Sequence, residues 1–169
     1  ATATWVPTTY YITPVVEGVN KTNIGYTIQT ESVTIPSYPL TGKNFVKWTK
    51  TSGPTGGGAS TESTTGEIIL SSAHGPITYN GEYSLINYTI NWPTGSSLGG
   101  STNYPITGSL SASKPSTYTY NETVNPANYL GTLARPGWKS PTFTPSTIPV
   151  NSTGAKSFAL SWTTNEYTI

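Results

Sequence analysis

The last 23 residues, 147–169 (TIPVNSTGAKSFALSWTTNEYTI), repeat a stretch 79 positions upstream, 68–90 (IILSSAHGPITYNGEYSLINYTI), without a gap. Ile69 falls on Ile148, Gly75 on Gly154, Tyr79 on Phe158 and Tyr83 on Trp162, and Tyr88, Thr89 and Ile90 fall on Tyr167, Thr168 and Ile169. A third, partial copy lies at residues 5–12 (WVPTTYYI), which keep the Trp, Tyr and Ile spacing of residues 162–169. A repeat of about 80 residues in a chain of 169 favours two small cores over one. The expected organisation is a first repeat over residues 1–83 and a second over 84–169, either separate or merged into one sandwich. The leftover copy makes residues 1–13 a spare closing strand, with Ala1, Thr2, Ala3, Thr4 and Trp5 as its donor portion.

Thr (32) and Ser (20) together make up about a third of the chain, with many Tyr, Gly and Pro. β-Branched and aromatic side chains suit a pleated surface, so the expected class is all-β, a β-sandwich or two tandem small β modules, with at most one short helix. That helix is expected at Asn125-Pro126, an Asn cap with Pro at the first helical position. Alternation places Tyr10 and Ile12 on one strand face, Tyr26/Ile28 and Val33/Ile35 on two further strands, and Tyr118 and Tyr120 on another. Pro14 and Gly18 are expected to interrupt the first strand. Residues 51–65 (TSGPTGGGASTESTT) and 93–101 (PTGSSLGGS) read as flexible loops.

Only 9% of residues are charged and the net charge is +1, so no basic face exists to neutralise nucleic-acid phosphates. No apolar run approaches the roughly 18 residues of a membrane-spanning helix. Methionine and cysteine are both absent, and the expectation is that Ala1 is a processed or artificial start. An export signal cleaved ahead of it, together with N-x-S/T sequons at Asn20, Asn87, Asn121 and Asn151, points to an extracellular or cell-surface glycoprotein. With seven Glu, no Asp, one His and no Cys, neither a Ser-His-Asp nor a Cys-His constellation can be assembled, and the expectation is a chain without enzymatic activity. A paired-carboxylate glycosidase site and an intramolecular Lys–Asn bond using Lys43 or Lys47 with Glu31 are the remaining chemical options. His74 reads as a solvated turn residue. No cofactor or metal ligand set can be named.

The first repeat also carries a pattern: residues 2–13 (TATWVPTTYYIT), then 25–36 (GYTIQTESVTIP), then Gly42, Phe45 and Trp48 in PLTGKNFVKWT, closed by a unit like Ile148, Gly154, Phe158 and Trp162. This resembles the Listeria-Bacteroides (internalin B-repeat type) repeat of bacterial surface proteins over most of residues 1–90. In the second copy the likeness begins at Ile148, because Gly137-Trp138-Lys139 departs from the spacing. The resemblance implies a β-grasp-like module in a surface stalk, with no catalytic residues. The Thr/Ser/Tyr-rich, cysteine-free composition is also similar to that of subunits of extracellular archaeal or bacterial fibres. The function expected is therefore a structural subunit of a pilus-like filament, partnered with copies of itself by donor-strand complementation or stacking. The alternative is a carbohydrate-binding adhesin module. The Trp residues read first as core, and Trp138, outside the repeat and near Arg135, as a possible sugar contact.

Overall fold

The computed structural model describes residues 2–167 and is all-β. The chain divides into two compact units, Ala1–Ser84 and Leu85–Ile169, each with its own apolar core.

Unit 1 contains β1 (Tyr10–Val16), β2 (Val19–Asn20), β3 (Ile24–Tyr26), β4 (Ser32–Thr34), β5 (Lys43–Ser52), β6 (Gly56–Ala59), β7 (Glu62–Ser63), β8 (Glu67–His74) and β9 (Ile77–Leu85). One sheet runs β2-β1-β9-β5-β7, with β3 also on β1, and a second runs β4-β8-β6. Their inward side chains form a sandwich-like core: Ile12, Val16, Tyr26, Trp48, Ile77 and Tyr79 from the first sheet meet Ile68, Leu70 and Ala73 of β8. The Tyr79 hydroxyl crosses between the sheets to donate to the Ser60 carbonyl.

Pro14 does not break β1 as expected; it lies within the strand, buried. Its carbonyl accepts from Lys21 N at 2.8 Å, on the side away from β9. Because N–H and C=O of one strand residue point the same way, the donor Pro lacks is one the β9 ladder does not need. Glu17 and Gly18, both at positive φ, then turn the chain tightly into β2. Residues 51–65 are likewise not a loop, since β6 and β7 lie within them. A Cβ on Gly56 would stand 2.3 Å from the His74 ring, and one on Gly57, at φ 69°, would stand 2.1 Å from the Ser72 carbonyl. The glycines let β6 approach β8, and the approach leaves His74 packed on Gly56 and half-buried, not a solvated turn residue.

Unit 2 contains β10 (Asn87–Asn91), β11 (Thr117–Thr119), β12 (Thr142–Thr144), β13 (Lys156–Ser157) and β14 (Ala159–Ser161). Two 3₁₀ turns stand where one short helix was expected. Pro126–Tyr129 is capped by Asn125, whose side chain accepts from Ala127 N at 3.1 Å, and Gly95–Leu98 falls in a stretch read as flexible. The core gathers Ile90, Tyr118, Val124, Phe143, Ile148 and Phe158, with Trp92 tilted against Phe158 at 4.9 Å between ring centroids.

The two units share one strand plan. In unit 1 the opening strand β1 lies between β3, antiparallel, and the closing strand β9, parallel. In unit 2 β10 lies between β11, antiparallel, and β13, parallel. Tyr10 pairs with Tyr26 as Tyr88 pairs with Tyr118. Tyr26 donates its hydroxyl to the Gly75 carbonyl, and Tyr118 donates to the Gly154 carbonyl at 2.6 Å, so each unit fastens the antiparallel neighbour of its opening strand, β3 or β11, to the turn before the parallel one, β9 or β13. Core volume is exchanged between equivalent positions. Trp48 packs on Gly81, where a Cβ would lie 3.0 Å from the indole, whereas the smaller Phe143 pairs with Leu160.

The ungapped repeat alignment needs one correction. Ile69 is half exposed, at 50%, while Ile68 and Ile148 are at 0% and 1%. Val33 faces Ile68 across the sheet, and Val124 forms a bridge with Ile148, so Ile68 is the counterpart. The extra residue is absorbed at a bulge where Gly58 faces both Ser71 and Ser72. Beyond it the 79-residue shift holds, and Ser72 and Asn151 share a positive φ.

Burial raises the phenol pKa values of Tyr26, Tyr83 and Tyr118, with smaller contributions from neighbouring acidic groups, and lifts Tyr79 to about 12. An acid whose folded pKa is raised contributes its full share below the unfolded value near 10 and loses it as pH climbs through the folded value. Denaturant stability is therefore expected to fall from about pH 10 upward, with a shallower fall in Tyr79→Phe; a stability unchanged between about pH 9 and 12 would contradict this. Removing the hydroxyl in Tyr26→Phe or Tyr118→Phe is expected to cost about 1–2 kcal/mol by orphaning a carbonyl. Amide exchange should localise that loss to unit 1 in the first variant and unit 2 in the second.

Candidate functional site

Residues 2–9 carry no regular structure and belong to neither sheet. Thr2, Ala3, Thr4 and Trp5 are exposed, with Trp5 at 91%; Val6 beside it is at 84%, and Ala1 lies outside the described residues. The spare-strand expectation of residues 1–13 is thus corrected in extent. Tyr10, Tyr11 and Ile12 are not spare, because they open unit 1 as β1 with Ile12 fully buried and a neighbour on both sides. Only the preceding segment stands free of the two cores.

Trp5's repeat counterparts behave differently. Tyr83 is half-buried, meets Phe45 edge-on at 5.6 Å and donates to the Tyr38 carbonyl at 2.8 Å. Trp162 is half-buried too, and its indole N–H donates to the Leu98 carbonyl at 2.7 Å. Each of these aromatics closes its own unit. Trp5 has no such receptor among the described residues, and a large indole left in water forgoes about 1.5–3 kcal/mol of burial.

An extended segment can add to a sheet edge whose strand carries nothing to repel it. The outer strands β11 (TYT) and β12 (TFT) of unit 2 carry no charge, and β4 (SVT) of unit 1 carries none either. None has the Lys or Pro with which edge strands commonly repel additional strands. Thr2, Ala3 and Thr4 are small and alternate, and nothing in them opposes pairing.

All four sequon asparagines, Asn20, Asn87, Asn121 and Asn151, are exposed, as are Thr22, Thr89, Thr123 and Thr153 two positions on. Trp138 is half-buried; its N–H closes a turn to the Arg135 carbonyl, and the Arg135 guanidinium sits 3.8 Å from its ring centroid. Sequence reading missed that arrangement's third member, Tyr104, for want of any repeat or spacing signal. The buried triad an intramolecular Lys–Asn bond requires does not form: Lys43 pairs with Glu17, and Lys47 with Glu62 at 2.5 Å, both at the surface. The Glu62 hydrogen bond holds the Lys47 ammonium above its ordinary pKa. Among the described residues no helix is long and apolar enough to cross a membrane, and no three His, Cys, Asp or Glu side chains gather as metal ligands would. No protein-family model matches the chain, and neither a curated protein nor a solved structure matches it significantly.

Proposed function

We propose that this chain is a structural subunit of an extracellular fibre or stalk, linked to a neighbouring copy when its N-terminal segment adds to a sheet edge of that copy. The observation that carries this reading is the contrast between Trp5, exposed, and its counterparts Tyr83 and Trp162, each packed into its own unit. Burying Trp5 in a neighbour would supply the apolar contact that these two already have, and main-chain pairing of Thr2, Ala3 and Thr4 would add directional hydrogen bonds. The uncharged edges of unit 2 suit the acceptor role. Architecture of this kind, rather than catalysis, also fits the modular two-unit plan and the likeness to bacterial surface repeats. In this reading the four exposed sequons carry surface sugars in an organism that glycosylates them.

Sedimentation and electron microscopy of the purified chain test the reading. Concentrated wild-type protein is expected to form oligomers or filaments; deletion of residues 1–9 and Trp5→Ser are expected to leave a monomer. Because these residues lie outside both cores, the unfolding midpoint of either variant should stay within the roughly 0.5 kcal/mol of an ordinary surface change. Identical assembly with and without the segment would overturn the proposal. Intact-mass measurement of native material is expected to find hexose-bearing adducts, reduced in number by Asn→Gln changes at the four sequons.

A further inference from the structure

Arg135 is the chain's one arginine. Its guanidinium is held on two sides: it stacks at 3.8 Å on Trp138, and its Nε–H donates to the Tyr104 carbonyl at 3.3 Å, with the Tyr104 ring centroid 6.0 Å away. A stacked guanidinium whose Nε is already committed has a fixed plane, and its two terminal nitrogens remain as a paired donor fork. Among the described residues no carboxylate answers that fork, for both ion pairs found are lysine–glutamate pairs of unit 1. Beside it Tyr104 is 56% exposed and offers an amphipathic ring next to a planar cation. The elements that hold the group belong to unit 2: a Thr107–Ala134 bridge fixes the chain just before Arg135, and a Trp138–Thr164 bridge fixes it just after.

A preformed donor fork flanked by an exposed aromatic face matches a ligand that has a planar carboxylate on a ring with an apolar C–H face. We infer that Tyr104, Arg135 and Trp138 form a binding site for acidic sugars, uronic or sialic acids. The carboxylate takes the two terminal Arg135 nitrogens in a bidentate pair, the sugar ring lies on Tyr104, and Trp138 positions the guanidinium. The inference goes beyond the fibre reading and does not depend on it, since the site lies within unit 2 and uses no residue of the N-terminal segment.

The test is calorimetric titration with three probes: an oligogalacturonate, its methyl ester, which keeps the ring and loses the charge, and a sialylated oligosaccharide. Carboxylate-dependent binding of the first or the third is expected, and which of them binds identifies the source. Arg135→Gln is expected to weaken it about tenfold or more, and Arg135→Lys, which keeps the charge without the fork, nearly as much. Tyr104→Ser, at an exposed position, provides a variant whose folding is not at issue and should also weaken binding. Trp138→Phe should lower affinity less than Arg135→Gln. Measurable and equal binding of the acid and its methyl ester, no binding of any probe, or unchanged affinity in both Arg135→Gln and Tyr104→Ser would each overturn the assignment.

Discussion

Each unit is built around the parallel pairing of its opening strand with a strand from its closing stretch, β1 with β9 and β10 with β13. In unit 1 that pairing brings Ile12 beside Ile77 and Val16 beside Gly81, and in unit 2 it brings Ile90 beside Lys156. Parallel neighbours cannot be joined by a tight turn, so the intervening chain must leave the sheet and return. In unit 1 it builds the second sheet while doing so. The tyrosine hydroxyl bound to Gly75 or Gly154 fixes the point of return. With that point fixed, Tyr79 or Phe158 enters the core and the closing aromatic, Tyr83 or Trp162, falls at the unit's end.

Much of this was legible in the residues, and what was not has physical causes. The repeat, the β class and the Asn125 cap follow from local chemistry that the tertiary structure leaves in place. The Tyr26–Tyr118 equivalence was hidden because Tyr26 follows Ile12 by 14 residues whereas Tyr118 follows Ile90 by 28. Ile69 was aligned with Ile148 because side-chain type carries no record of a bulge, and a single extra residue moves every preceding side chain to the opposite face. The Gly-rich stretch misled for a related reason. Composition records glycine's flexibility, but Gly56 and Gly57 are needed for the space they leave to His74 and to the Ser72 carbonyl. Gly137-Trp138-Lys139 departs from the spacing of Gly42, Phe45 and Trp48, which leaves the second repeat's counterpart of Trp48 without a sequence signal; Phe143, on β12 beside β14, fills the place that Trp48 has on β5 beside β9.

The surface residues divide by whether a repeat partner explains them. Tyr79, Phe158, Tyr83 and Trp162 are accounted for by packing, whereas Trp5 and the rings of Tyr104 and Trp138 around Arg135 lie outside both cores. They differ in chemistry. Trp5 offers apolar area with little polarity around it, suited to another protein surface, whereas the stack presents a positive charge framed by rings. The two proposed contacts, one with protein and one with sugar, are compatible on one small chain because neither uses the residues of the other.

Parallel pairing of terminal strands also determines how a unit answers a pull. The chain enters β1 at one end of the ladder and leaves β9 at the other, so tension between the ends slides the two strands past each other along their length. The residue pairs from Ile12–Ile77 to Val16–Gly81 then share the force at once instead of opening singly like a zip. The corresponding ladder of unit 2 spans only Ile90–Lys156 and Asn91–Ser157. Under shear, this ladder has fewer residue pairs among which to share the load than the ladder of unit 1.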